Sequence, residues 1–535
     1  MLLVDYAALG ALVVSIWIWL APGLRLRLPL MAVSALLAMA FATQGILSGR
    51  WQLVVALLLG VILLLAALMA LLRGRPAAPR RPWISGALLS LFLLLALLLP
   101  WLHPAPPLPA PDGPYAVGVR DFALEDDARP GVFAASEDEP RTLLVRVWYP
   151  AASTDGYQTR PYFTAKEAET TAVDTGALLG LPFYFTYLEL VQTNSYVDAP
   201  LIDVSEPLPV VIYSHGYTSF AGQNTALMET LASHGYLVFS VQHSYDSASA
   251  VLPDGRVIPM DPELVASFAE RAEEGVSEVM AQAFGGASYA ARRAGHIANR
   301  EAMRAEGERI ATLSAPVWLE DRRFVLDALA AREVPDSVLE LVRAGDFDET
   351  GQMGMSFGGS TTGGFCLADR RCAAGINLDG GDYHTPMGTQ QPVPFLMFYS
   401  DIDRVLEQFG AEPGTRGFGF NDFFYERHEL AGLNPDITRL RVRNVMHLGV
   451  SDFTLFLRNP LRGLLLGSID ADAMIAIQND FVLAFFDRYL RGRDSGFPET
   501  QFAQYEGWVE PDSASGVRDW WLAEHPRERT VQVLL

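Results

Sequence analysis

Within its first 104 residues the chain carries four long apolar stretches, at about 4–21, 29–48, 51–72 and 83–102. Each approaches the roughly 20 residues that a helix needs to cross the hydrocarbon core of a bilayer. Trp17, Trp19, Trp51, Trp83 and Trp101 stand near their ends, where amphipathic rings favour the membrane–water interface. The first stretch lacks the basic start and small-residue cleavage site of a secretory signal peptide. Residues 1–103 are therefore expected to form a four-helix transmembrane anchor. Its spans hold no ionisable group deep in the apolar part, which argues against a transport pathway and for simple anchoring.

The arginines give the orientation. Arg25 and Arg27 lie between the first two stretches, and Arg73, Arg75, Arg80 and Arg81 between the last two, whereas Arg50 stands alone in the middle connection. The positive-inside rule places the first and third connections in the cytoplasm and everything after residue 103 outside it. For a bacterial chain this means an integral protein of the plasma membrane with an extracytoplasmic domain.

Charge divides the chain at the same place. The formal net charge of −22 is the sum of +6 over residues 1–104 and −28 over the rest. So acidic a domain repels nucleic acid phosphates. Between the two parts, residues 104–114 are rich in proline, which favours an extended polyproline II spacer. At about 3.1 Å per residue, it reads as a stalk of roughly 35 Å.

Beyond the stalk, residues 115–124 and 141–149 alternate apolar and polar side chains and read as an antiparallel hairpin. Short apolar runs follow at 208–214, 236–241, 351–355, 373–378, 394–399 and 440–446, separated by lengths suited to helices or loops. That pattern predicts an α/β domain over 115–495, with a mostly parallel sheet covered by helices on both faces. A helix-prone insertion occupies about 262–332. Its Phe268, Met280, Phe284 and Tyr289 fit a lid or an ordinary peripheral excursion equally well. Helical spacing recurs at 475–490, and residues 496–535 form a C-terminal extension.

The sequence GMSFGG places Ser356 in a G-x-S-x-G motif between a strand-like run and a helix-like one. A serine held in a sharp strand-to-helix turn is exposed for nucleophilic attack, and the flanking glycines let neighbouring backbones approach. Earlier, SHGYTSF follows the strand at 208–214. The amides of Tyr217 and Phe357 are then the candidate oxyanion-hole donors, while His215 orients the loop. His447 is the candidate base because it follows an apolar strand; His525 lies in a polar tail and His428 in a charged run. Asp379 and Asp401 both follow strands, and spacing does not choose between them as the acid. Cys366 and Cys372 are the two cysteines of the chain; an extracytoplasmic site permits a disulfide, with two buried thiols as the alternative.

In order, SHGYTSF, LASHGYLVFSVQHSYDSAS, GMSFGGSTT, INLDGG and MHLGVSDF resemble the plasma-type (isoform II-like) platelet-activating factor acetylhydrolase family of α/β-hydrolases. The resemblance covers about residues 115–492. It implies a nucleophile at Ser356, a base at His447, an acid at Asp379 rather than Asp401, no metal or other cofactor, and short or oxidised acyl esters, including phospholipid sn-2 esters, as substrates. Two departures stand out: Met355 occupies a position that is often His in the family, and the four-helix anchor is foreign to the animal enzymes. Esterases acting on non-lipid esters, of the dienelactone-hydrolase or polyesterase kind, and acyltransferases share the same site chemistry. A tethered binding protein on a degenerate hydrolase fold is the non-catalytic rival. The oligomeric state is not readable from the sequence.

Overall fold

The computed structural model describes the chain except residues 21–25, 74–81, 135, 268–277, 286–288, 382, 384–388, 402–433, 435, 513–514 and 526–535. It divides into two compact units. One comprises Met1–Leu108, Pro161–Gln192 and Leu455–Leu464, the other Pro109–Arg160, Thr193–Thr454 and Leu465–Leu535.

The first unit contains the four apolar helices α1 (Leu3–Leu20), α2 (Arg27–Leu47), α3 (Val54–Leu72) and α4 (Pro82–Leu102). All four are long and apolar enough to cross a membrane. Small side chains let them pack closely: Ala8, Ala35, Ala38, Ala42, Ala56 and Ala67 are fully buried among leucines. One end of the bundle holds a buried ion pair, Arg50 to Asp5 at 3.0 Å. The same guanidinium donates to the carbonyls of His103 at 2.6 Å and Pro100 at 2.9 Å. The lone arginine of the middle connection is thus neutralised and bonded through each of its three nitrogens. Two distant segments complete this unit. Trp51 Nε1 donates to Tyr184 O at 3.0 Å, and Tyr187 Oη donates to Phe456 O at 2.9 Å.

The second unit is built on an eleven-stranded sheet. Its strands are β1 (Ala116–Asp126), β2 (Arg141–Ala151), β3 (Thr159–Pro161), β4 (Gln192–Val197), β5 (Leu208–Ser214), β6 (Leu237–Gln242), β7 (Gly345–Met355), β8 (Cys372–Leu378), β9 (Phe395–Tyr399), β10 (Ile437–Val442) and β11 (Val509–Pro511). Their spatial order is β11-β10-β9-β8-β7-β5-β6-β2-β1-β4-β3. The run from β6 through β5, β7, β8 and β9 to β10 is parallel. β2 joins β6 antiparallel, and β1 and β2 form the expected hairpin.

Both faces of this sheet are covered, which explains the unbroken apolar strands. Along β5, Val210 and Ile212 enter one core, with Val325, Leu326 and Leu329 of the helix Ala315–Ala331. Val211 and Tyr213 enter the other, with Leu227, Leu231, Phe481 and Phe485 from the helices Thr225–Ser233 and Ala471–Arg491. The result is a mixed α/β fold consistent with the α/β-hydrolase architecture.

Three details differ from the sequence reading. β10 ends at Val442, so His447 follows a turn and opens the short helical turn His447–Gly449 rather than leaving the strand directly. The C-terminal extension contributes β11, paired antiparallel with β10. The proline-rich segment is tied down rather than free-standing: Leu108 N bonds Gln192 O at 2.9 Å, Pro109 O accepts from Asn194 at 2.9 Å, and Gly113 N donates to Ser233 Oγ at 3.2 Å. In the insertion, helices occupy Glu278–Gly285, Tyr289–Ala305 and Ala315–Ala331. The side chains of Phe268, Met280, Phe284 and Tyr289 lie outside the described residues.

Candidate active site

β7 runs straight into Ser356, which adopts φ 55° and ψ −119° before the helix Phe357–Ala368 begins. A non-glycine residue in that region carries strain of order 1–3 kcal/mol, stored here at the serine itself. The turn is tight enough to exclude side chains on either side. A Cβ on Gly354 would lie 2.2 Å from the backbone of Gly358, and one on Gly358 would lie 2.0 Å from Ser214 O. The second glycine therefore brings the helix start against the end of β5.

His447 Nε2 stands 2.9 Å from Ser356 Oγ, and its Nδ1 stands 2.7 Å from Asp379 Oδ2. A carboxylate accepts only, so Nδ1 carries the proton and Nε2 is left to accept from the serine hydroxyl. Asp379 follows β8 with φ 56°, and its other oxygen accepts from Ser400 N at 2.7 Å. The carboxylate is thereby fixed on both sides. Asp401 does something else: its Oδ2 accepts the Asn444 amide at 2.8 Å and braces the turn after β10. His525 stacks on Trp521 with ring centroids 4.1 Å apart, and His428 lies outside the described residues.

The loop after β5 reaches the serine. A Cβ on Gly216 would sit 3.3 Å from Ser356 Cβ, which puts the Gly216–Tyr217 peptide beside that serine. The rings of Tyr217 and Phe357 meet edge-on at 5.3 Å. A cavity of about 280 Å³ opens against Tyr217, bounded by Leu264, Ile310, Glu263, Glu308 and Arg309. The Arg309 charge is answered by Asp246 at 2.7 Å and by Asp261. Among the described residues no group of three or more His, Cys, Asp or Glu side chains could hold a metal ion. Cys366 and Cys372 are joined in a disulfide with Cα atoms 5.1 Å apart, linking the helix after the serine to β8.

Some members of this neighbourhood escaped sequence reasoning. Asn377 Oδ1 accepts from Gly380 N at 2.7 Å and shapes the turn that carries Asp379. Gln223 Oε1 accepts from Gly216 N at 2.7 Å. His243, Asp321 and Trp318 lie buried behind the loop. His243 stands in the motif VQHSYDSAS, which offered a signal; Asp321 lies in the insertion and offered none.

A serine on a strained strand-to-helix turn, bonded to a histidine and through it to an aspartate, on a largely parallel sheet covered by helices, is consistent with an α/β-hydrolase. The resemblance read from the motifs is borne out by comparison with known proteins. The family described as platelet-activating factor acetylhydrolase, isoform II, matches residues 103–254, a stretch that ends before Ser356. The platelet-activating factor acetylhydrolase of Canis lupus familiaris is 23% identical over 395 residues, covering 72% of this chain and 77% of that protein. That of Gallus gallus is 24% identical over 402 residues, covering 72% and 83%. Among solved structures, a ferulic acid esterase from Streptomyces cinnamoneus aligns with a TM-score of 0.49 and 23% identity, over 76% of this chain and 99% of that one.

Proposed function

We propose that the chain is a membrane-anchored serine hydrolase of carboxylic esters. The observation that carries this reading is the continuous line from Ser356 Oγ to His447 to Asp379, at 2.9 and 2.7 Å. His447 Nε2 takes the serine proton as Oγ attacks the ester carbonyl. The amides of Tyr217 and Phe357 receive the developing oxyanion, and the imidazolium, stabilised by Asp379, protonates the leaving alcohol. Water then enters by the same route, with His447 again the base, and releases the acid from the acyl-enzyme.

The names of the relatives support an acetyl ester as substrate, and the motif resemblance extends this to short or oxidised acyl esters, including the sn-2 ester of a phospholipid. Residues 1–103 serve as the anchor, and residues 115–495 carry the chemistry. The distribution of arginines favours an extracytoplasmic site in a bacterial plasma membrane. Pairing of Arg50 with Asp5 strengthens that argument, because it removes the one positive charge on the outer side. The Cys366–Cys372 disulfide also fits an oxidising compartment.

The test is turnover of p-nitrophenyl esters of increasing acyl length by the full chain in detergent, with Ser356→Ala beside it. Wild type is expected to hydrolyse the short esters and to be labelled by a fluorophosphonate at Ser356; the variant should do neither. A wild type that neither turns over any ester nor takes up the probe overturns the reading.

A further inference from the structure

Behind the loop that faces Ser356 lies a sealed set of polar groups. Ser214, His215, His243 and Asp321 are each fully buried. Asp321 receives two bonds from Arg141, at 2.7 and 2.6 Å, and its Oδ2 stands 2.9 Å from His243 Nδ1. His243 Nε2 stands 2.9 Å from Ser214 Oγ. The residue types repeat those of the proposed triad, but this copy has no exposure to solvent. Its connections run to the backbone of the loop instead.

Those connections fix the proton positions. The His243 backbone N–H donates to His215 Nε2 at 3.2 Å, so that nitrogen carries no proton. The proton of a neutral His215 is then on Nδ1, which lies 2.6 Å from Gly216 O and donates to it. Burial holds both rings neutral, pushing His215 down to about 3 and His243 down to about 4. The Gly216 carbonyl and the Tyr217 N–H belong to one planar trans peptide and point in opposite directions. Clamping the carbonyl therefore sets the aim of the amide. Gln223 holds the Gly216 N–H, so the preceding peptide is fixed as well.

We infer that His215, held in turn by His243 and Asp321, is a positioning residue that aims the Tyr217 amide at the oxyanion. The inference rests on the hydrolase reading above and deepens it. The clamp is itself backed by the insertion. Trp318 stacks on His243 with centroids 3.8 Å apart and planes 10° from parallel, and meets His215 and Phe357 edge-on at 5.0 and 4.7 Å. Its Nε1 donates to Asp246 at 3.0 Å. Trp318 and Asp321 sit on the same helix, Ala315–Ala331. That helix therefore forms the back wall of the oxyanion loop, whatever the rest of the insertion does.

The test compares wild type, His215→Leu and His215→Asn as full chains in detergent. Each is measured for kcat and KM on p-nitrophenyl acetate and for inhibition by an alkyl trifluoromethyl ketone, whose serine adduct carries an oxyanion. An asparagine amide can replace the Nδ1 donor but not the Nε2 acceptor. His215→Leu should lower kcat by roughly 10²-fold, the scale of losing one oxyanion donor, with KM within about threefold. The ketone should weaken in parallel with kcat/KM, and His215→Asn should recover most of the loss. Unchanged kcat in the leucine variant, or ketone affinity that stays constant while kcat falls, overturns the inference. Should the leucine variant fail to fold, His215→Ala takes its place under the same two readouts. A fall in kcat matched by weaker ketone binding supports the clamp, and a fall without it refutes it. Inactive wild type would refute the hydrolase reading itself and is seen separately.

Discussion

Glu229 offers a sharp test of the electrostatics of the sheet edge. Its carboxylate is fully buried on the helix Thr225–Ser233. Oε1 accepts from Asn194 N at 2.7 Å and Ser195 Oγ at 2.6 Å, and Oε2 accepts from Asn194 Nδ2 at 2.9 Å. The groups that bond it, Asn194, Ser195 and Thr193, are all uncharged, and burial pushes its pKa up to about 7. In the unfolded chain the same group titrates near 4.5. Between those values the folded protein holds the extra proton more tightly, so this contribution to stability is complete below about pH 4.5 and fades as pH rises through about 7. A shift of this size corresponds to about 3 kcal/mol. The assay is chemical denaturation of the full chain in detergent, followed by tryptophan fluorescence from about pH 5 to about pH 8.5, for wild type and Glu229→Gln. The variant keeps an acceptor for Asn194 N and Ser195 but cannot ionise. Its stability relative to wild type should therefore rise across that range by up to about 3 kcal/mol. Parallel pH profiles for the two proteins would refute the reasoning.

Other outcomes follow from the site and the bundle. Asp379→Asn should lower kcat by roughly 10³–10⁴-fold, because it removes the acceptor that holds the productive tautomer of His447. Asp401→Asn, whose side chain braces the Asn444 amide, should cost less than about tenfold; steady-state kinetics of the pair decide the acid. Gly358→Ala should destabilise by at least the roughly 1–3 kcal/mol of an overpacked core site. Its Cβ would meet backbone atoms of Ser214 and His215, which can give way only by moving the loop, so kcat should fall as well. Arg50→Ala leaves Asp5 buried and unpaired, a change that typically costs about 3–5 kcal/mol, to be read as a lower melting temperature in detergent.

The parts of this protein legible in its sequence were those where one local pattern answers to one physical demand. LPVVIYS reads as a strand covered on both faces because Val210 and Val211 feed different cores. GMSFGG reads as a strained turn because close backbone contact tolerates nothing larger than glycine. β4, with the sequence QTNSYV, escaped notice because a half-buried strand made largely of polar residues has no hydrophobic signature. Asp379 and Asp401 look alike along the chain; only the fold shows that one oxygen reaches His447 and the other a turn. Asp321 was invisible for a further reason. Its partner Arg141 is 180 residues away, and no periodicity connects a helical insertion to the start of a strand. Residues 161–192 and 455–464 likewise give no sign in their composition that they complete the helical unit.

That discontinuous unit bears on how the protein is made. The four apolar helices leave the ribosome first, yet Phe456, whose carbonyl receives the Tyr187 hydroxyl, is synthesised roughly 350 residues after α4 ends. At about 5–20 residues per second, this is a wait on the order of twenty to seventy seconds. For most of that interval the helices and Tyr187 are already made while the tyrosine lacks its acceptor. The chain passes between the two units five times, at 108/109, 160/161, 192/193, 454/455 and 464/465. A single protease cut in the proline-rich segment would therefore release the four helices from covalent connection but leave residues 161–192 and 455–464 of the same unit attached to the other. The helical unit is thus drawn from three separate stretches of the chain, and it is not complete until residue 464 has been made.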